Sequence, residues 1–209
     1  MPASLHRAGL GIHAASKNGD GRRRCRSMLP GKPARTRATK GKMAEQRKDG
    51  MLVMIDGATS IVIDERTKPV IVTSWFGEAT ERIIDEYFDW SSSRLARARA
   101  ARERLVLLND TFAIERPTPM VRKRLAERTK AQSVEDQRAV VLGSVVVIES
   151  ALVRGAVTAL GWILPSLSES QFVASIDEAI DRSLAILAKE GLPPPAGFSR
   201  ASYRRPARP

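Results

Sequence analysis

The residues best placed for chemistry are acids and hydroxyls that close two short apolar runs. Leu105-Val-Leu-Leu-Asn-Asp110 ends on an acid followed by Thr111, and Val140-Val-Leu-Gly-Ser-Val-Val-Val-Ile-Glu149 ends on an acid followed by Ser150 and, shortly after, Arg154. Acids, hydroxyls and a guanidinium gathered where strands end and helices begin are suited to holding an anion or a partner's carboxylate. Other chemistry is excluded by inventory. Both histidines, His6 and His13, precede the patterned region, which removes a histidine base, a histidine metal ligand and a Ser-His-Asp triad from it. The single cysteine, Cys25, rules out a disulfide framework or a cysteine metal site within one chain. No pair of carboxylates stands out by its spacing for acid-base work, so no catalytic residue, metal ligand or cofactor is assigned and an enzyme is not expected.

Arg154 stands in a stretch that is apolar almost all round, where a guanidinium is costly unless paired. Glu149 and Asp110 are its candidate partners, because both close strands and would approach the same edge of a sheet. Such an arginine serves either as an anion or carboxylate site, or as a structural pair locking a helix to the sheet. A second cationic group, Arg122, Lys123, Arg124, Arg128 and Lys130, gives one helix a basic side opposite Val121 and Leu125. That side would face an acidic partner or anionic lipid, or simply water.

The elements that position these groups follow from the apolar pattern. Runs of aliphatic and β-branched residues without alternation read as strands buried on both faces, and helical spacing between them implies βαβ crossovers. Thr59-Ser-Ile-Val-Ile-Asp64 and Val70-Ile-Val-Thr-Ser-Trp75, separated by a polar stretch closed by Pro69, read as an antiparallel hairpin. From Glu78 onward Ile83, Ile84, Tyr87, Phe88 and Leu95 recur with a helical period, and the helix breaks before the strand at Leu105. Thr118-Pro119 is an N-cap followed by proline at the first helical position, opening a helix to about Lys130. Ser150 is placed to cap a buried helix carrying Leu152, Val153, Val157, Leu160, Trp162 and Ile163, which Pro165 ends. Phe172-Val-Ala adds a short edge strand, and Ser175-Ile-Asp-Glu178 is a capping box for a last helix lined by Ile176, Ile180, Leu184 and Leu187. The expectation is an α/β fold with a single mixed sheet of four to five strands: an N-terminal antiparallel hairpin, then parallel βαβ units with helices packed against the sheet.

The net charge of +12 on 209 residues resembles a nucleic-acid signature until it is divided along the chain. Residues 1–50 carry 13 basic and 3 acidic side chains, residues 51–191 carry 18 and 20, and residues 192–209 carry 4 and none. The excess sits at the two ends, so nucleic acid would be held only through tails, by phosphate contact without interleaved aromatic rings. Residues 1–50 read as a disordered basic leader, or as lying upstream of the true start, with Met43 and Met51 as candidate initiators; an Arg-rich organelle presequence is the other reading. One α/β domain is expected over 51–191, followed by a disordered Pro/Arg tail over 192–209. The apolar stretch from Ala139 to Leu164 is interrupted by Glu149 and Arg154, which argues against a membrane span, and the lone Cys25 with no apolar secretory signal at the N-terminus points to a cytoplasmic protein.

This order of elements resembles the STAS-type, anti-sigma-factor-antagonist-like α/β domains, including bacterial relatives described as similar to CRAL-TRIO lipid-transfer domains. The resemblance rests on Val106-Leu-Leu-Asn-Asp110, the proline-led basic helix from Pro119 through Arg124, Ser150-Ala-Leu-Val-Arg-Gly155, and Phe172 through Ile180. It implies a noncatalytic module that binds partner proteins, with Asp110, Thr111, Glu149, Ser150 and Arg154 as the binding residues. In phosphorylated members a serine after the strand-end aspartate opens the next helix and acts as the switch. Thr111 occupies that place here without the paired hydroxyls or the glycine, and the helix cap lies downstream at Thr118. Two other functions stay open: a peripheral lipid or small-ligand domain with a pocket beside the Ser150–Leu164 helix, and nucleic-acid binding through the tails.

Overall fold

The computed structural model describes residues 44–115, 117–132, 134–151 and 170–209. Seven strands form one sheet in sequence order: β1 (Ala44–Lys48), β2 (Met51–Asp56), β3 (Thr59–Asp64), β4 (Val70–Gly77), β5 (Leu105–Ile114), β6 (Val141–Val147) and β7 (Ser170–Val173). Strands β1 to β4 pair antiparallel and β4 to β7 pair parallel. Among the described residues the helices are α1 (Glu81–Ala100), α2 (Pro119–Ala131), α3 (Val134–Val140) and α4 (Ile176–Lys189). The mixed α/β sheet read from the sequence is present, with seven strands in place of four to five.

The added strands are β1 and β2, and turn chemistry explains them. Asp49 and Gly50 both take positive φ (47° and 78°) between the paired residues Lys48 and Met51, the geometry of a two-residue hairpin turn that Asp-Gly favours. Gly57 (φ 63°) makes the next tight connection, between Asp56 and Thr59. β1 reads Ala-Glu-Gln-Arg-Lys and has no apolar alternation to announce it; an edge strand needs partners on one side only. The sheet therefore takes in part of the stretch assigned to the leader, and residues 1–43 lie outside the described residues. Among the described residues no helix is long and apolar enough to cross a membrane.

Alternation along β4 and β5 divides the core into two layers. Ile71 and Leu105 face α1, where they join Ile61 and Ile63 of β3 and Ile83, Ile84, Phe88 and Leu95 of the helix. Val70, Val72, Val106 and Leu108 face the other way, with Val145 and Val147 of β6, against Ala179, Ile180 and Leu187 of α4. Both faces of the central strands are buried, which is why their sequences run apolar without a break. Two caps act as read from the sequence, and a third, Thr80, opens α1. Thr118 Oγ1 accepts from Val121 N at 3.3 Å to open α2, and Ser175 Oγ accepts from Glu178 N at 3.2 Å to open α4. Thr80 Oγ1 accepts from Ile83 N at 3.1 Å to start α1, while donating to Asp56 Oδ2 at 2.6 Å, so one hydroxyl ties α1 to the β2–β3 turn. Helix α3 was not anticipated; the seven residues before β6 carry no long apolar period. The buried helix expected from Ser150 falls on residues 152–164, outside the described residues.

Arg94 is the buried arginine of the described fold. Its Nε donates to Glu65 Oε1 and its Nη2 to Glu103 Oε2, both at 2.6 Å, joining α1 to the segments before β4 and β5. Burial of Glu65 works to raise its pKa, but the hydrogen bonds and charges of Arg94 and Lys68 outweigh it and hold the carboxyl below its ordinary 4.5.

The C-terminal segment differs most from expectation. Residues 192–209, read as a disordered tail, pack on the α4 face of the sheet, with Phe198 2% and Tyr203 8% exposed. Their rings meet edge to face at 5.6 Å, and the Arg208 guanidinium donates to the Ala58 carbonyl. Helix α4 packs on β5, β6 and β7, so the part of this face over β3 and β4 needs another cover, and the tail provides it. Proline and arginine content pointed to disorder; the two aromatic side chains decide otherwise.

Two stability predictions follow from these contacts. Phe198→Ala is expected to lower unfolding stability by about 3–5 kcal/mol in a urea titration, the usual cost of emptying a buried phenylalanine site, whereas a loose tail would show no change. Because the folded Glu65 carboxyl is depressed, its pairing stabilises the fold above the unfolded value and is lost as pH falls through the folded one. Melting temperature should thus fall more steeply below about pH 4.5 in the parent than in Glu65→Gln, which should be less stable near neutrality and flatter in acid.

Candidate functional site

β5 continues to Ile114, so Asp110 and Thr111 lie within the strand and not at its end, and successive side chains point to opposite faces. This separates the residues that the sequence reading grouped. Asp110, 3% exposed, turns toward the C-terminal segment, where its Oδ2 accepts from Arg205 Nε at 2.7 Å and its Oδ1 from Arg205 Nη2 at 3.2 Å. The same guanidinium lies over the Phe112 ring, 4.3 Å from its centroid. The carboxylate expected to meet Arg154 is thus held by Arg205; Arg154 itself is outside the described residues. Glu149 and Ser150 follow the end of β6 and are exposed.

Beneath the same segment Asp64, 1% exposed, accepts from Arg66 Nε at 2.9 Å and Nη2 at 2.7 Å. Burial, with the negative fields of Asp64 and Asp110, pushes the Tyr203 phenol far above its ordinary range, so it stays a neutral hydroxyl. The Tyr203 hydroxyl and the Ser60 and Ser74 hydroxyls are buried there without a hydrogen-bond partner among the described residues. The region is a covered polar patch, closed by the chain's own arginines.

Thr111 faces the other layer. Its hydroxyl donates to the Val147 carbonyl of β6, and it borders a cavity of about 470 Å³ enclosed by β4, β5 and β6 beneath α1 and α2. Leu107, Asn109 and Thr111 of β5 with Ser144 and Val146 of β6 make its floor, Trp75, Tyr87 and Phe88 one wall, and Val121 and Leu125 another. Tyr87 OH donates to Asn109 Oδ1 at 3.3 Å, and its ring meets Trp75 edge-on at 4.9 Å. Burial raises the Tyr87 phenol to about 12, against a smaller lowering from Thr73. At the far end Gln137 Nε2 donates to Gln132 Oε1 at 3.0 Å and Gln132 Nε2 to Ser91 Oγ at 3.2 Å.

The basic side of α2 is divided in two. Arg124 grips Asp85 of α1 through Nε and Nη2 at 2.8 and 2.9 Å, and Arg128 pairs with Asp89 while covering the Phe88 ring at 5.7 Å. Arg122, Lys123 and Lys130 are exposed. Among the described residues no group of three or more His, Cys, Asp or Glu is placed to hold a metal ion.

Of the five assigned residues four are described: Asp110 and Thr111 serve opposite layers, and Glu149 and Ser150 stand at the surface. Sequence reading missed Arg205, Tyr203, Tyr87 and Asn109. One signal was available, since the chain has only two tyrosines and both carry buried hydroxyls at these two places.

The fold is that of an α/β protein with one mixed sheet, antiparallel at its N-terminal end and parallel beyond β4. Among solved structures the chain is similar to the crystal structure of an anti-sigma factor antagonist from Mycobacterium paratuberculosis, at 17% identity over 60% of this chain and 94% of that one, with a TM-score of 0.37. That protein is of the kind the sequence resemblance names. No family model and no curated protein matches the chain.

The Asp110–Arg205 pair predicts a coupling. Arg205→Ala should cost about 2–3 kcal/mol, below the 3–5 typical of a wholly buried pair because Arg205 keeps contact with water. The double variant with Asp110→Asn should cost less than the two single changes together, and strict additivity in denaturant melts would show that the pair contributes nothing.

Proposed function

We propose that the folded region is a noncatalytic, regulatory binding module of STAS-like type whose partner is a protein with an acidic and apolar surface. The observation that carries this reading is the outer side of α2. This helix buries only Val121 in its 13 residues, while Met120 is 63% and Leu125 39% exposed and Val134, just beyond it, 46%. Exposed apolar side chains on and just beyond this helix, together with the exposed cations Arg122, Lys123 and Lys130, are what an acidic, partly apolar partner would fit. Two ion pairs to α1, Arg124–Asp85 and Arg128–Asp89, hold the helix in place, so the surface is presented ready-made.

The sequence resemblance supports the same reading, since STAS-type domains act by binding proteins. Glu149 and Ser150, exposed after β6, are proposed as further contacts, whereas Asp110 is covered by Arg205. Binding of nucleic acid through the C-terminal tail is disfavoured by where three of its four arginines go: Arg200 pairs with Asp181, Arg205 with Asp110, and Arg208 with the Ala58 carbonyl.

Pull-down from the source cells with parent protein and with Met120→Asp/Val134→Asp tests the proposal. Both side chains are exposed, so melting should hold within about 0.5 kcal/mol while capture of the partner falls at least tenfold. Equal capture by parent and variant would overturn the α2 assignment.

A further inference from the structure

The cavity between α1, α2 and the sheet has a chemistry unlike the rest of a chain in which 28% of residues are charged. Among the described residues its lining contains no Asp, Glu, Lys, Arg or His. Its polar groups are neutral hydroxyls and amides, set in a mainly apolar surface with an aromatic wall. Several are already engaged in ways that fix their direction. Tyr87 OH occupies Asn109 Oδ1, which leaves the Asn109 amide nitrogen to donate, and the Gln137–Gln132–Ser91 chain orders the opposite end.

The volume, about 470 Å³, falls in the range of small-molecule sites. It is also open to entry. Leu107, Ser144 and Val146 belong to inner strands that would ordinarily be wholly covered, yet they are only half-buried on this face, and Leu125 at the α2 wall is 39% exposed. An ionised ligand would surrender its hydration here without meeting a counter-charge among the described lining residues, at a cost neutral dipoles do not offset. A neutral ligand loses little and gains the aromatic wall.

From these features we infer that the cavity binds an uncharged small molecule bearing a planar ring, with the ring against Trp75 and Tyr87 and a carbonyl or carboxamide group at Asn109. Leu125 belongs both to this cavity wall and to the exposed side of α2, whereas Met120 and Val134 do not line the cavity, so the inference holds whether or not a protein docks at those two residues.

The inference is tested by calorimetric titration of the full chain with naphthalene-1-carboxamide and naphthalene-1-carboxylate, which share a shape and differ in charge. One-to-one binding of the amide, at least about tenfold tighter than the carboxylate, is expected. Leu125→Trp narrows the cavity from the exposed α2 side and Ser144→Phe fills it from the floor; loss of amide binding by tenfold or more in either variant, with a parental circular dichroism spectrum, supports the site. Equal affinity for the two probes, binding of neither, or amide binding unchanged in both folded variants would overturn it.

Discussion

The constraint on which the structure depends is the position of β5 between two parallel neighbours with a packed layer on each face. A strand in that place cannot keep a side chain idle. Every residue from Leu105 to Thr111 must be covered from the α1 side or the α4 side, and the two covers differ in kind. On the α4 side the cover is a helix completed by the C-terminal segment, and the acid that β5 turns to that face, Asp110, meets an arginine from the segment itself. On the α1 side the described cover is α1, α2 and α3, which leave a cavity between themselves and the sheet. The separation of Asp110 from Thr111 is therefore a consequence of the pleat, not of any local preference of either residue.

Much of the architecture was legible because it is written in periodicity and caps. The strands read at Thr59, Val70, Leu105 and Val140, the helices read from Glu78, Pro119 and Ser175, and the short strand read at Phe172 all carry local signals, and each is present within a few residues of where those signals put it. β1 was not legible from apolar pattern, because its side chains face water; only the Asp-Gly pair at 49–50 announced it. The C-terminal segment was read by composition, which sums over residues and hides the two aromatic side chains that anchor it. The site was legible only in part. Its acid and hydroxyl were found, but β5 runs four residues beyond Asp110, so the expected strand end moved and Asp110 and Thr111 turn to opposite faces. The partner of Asp110 is 95 residues away in sequence, a distance that no local pattern spans.

Electrostatics within the folded region is largely internal. Arg94, Arg124, Arg128 and Arg205 each hold an acid of another element, and each also fixes a junction: α1 to the sheet, α2 to α1, the C-terminal segment to β5. Arginine suits this work because its planar fork can take two oxygens at once, as Arg124 does with Asp85 and Arg205 with Asp110. On α2, Arg122, Lys123 and Lys130 take part in none of these junctions and are exposed.

The two borders of the sheet bear on how copies of this chain behave beside one another. An unpaired strand border is a template onto which another chain can add, and growth of that kind ends in fibrous aggregates. At one border β1 presents Glu45, Arg47 and Lys48 to water, so a second copy would have to strip hydration from both signs of charge before its backbone could pair. At the other border β7 is four residues long, too short to give an added strand more than a few bonds. The polar hairpin that hid β1 from sequence reading is thus also what keeps the sheet finite.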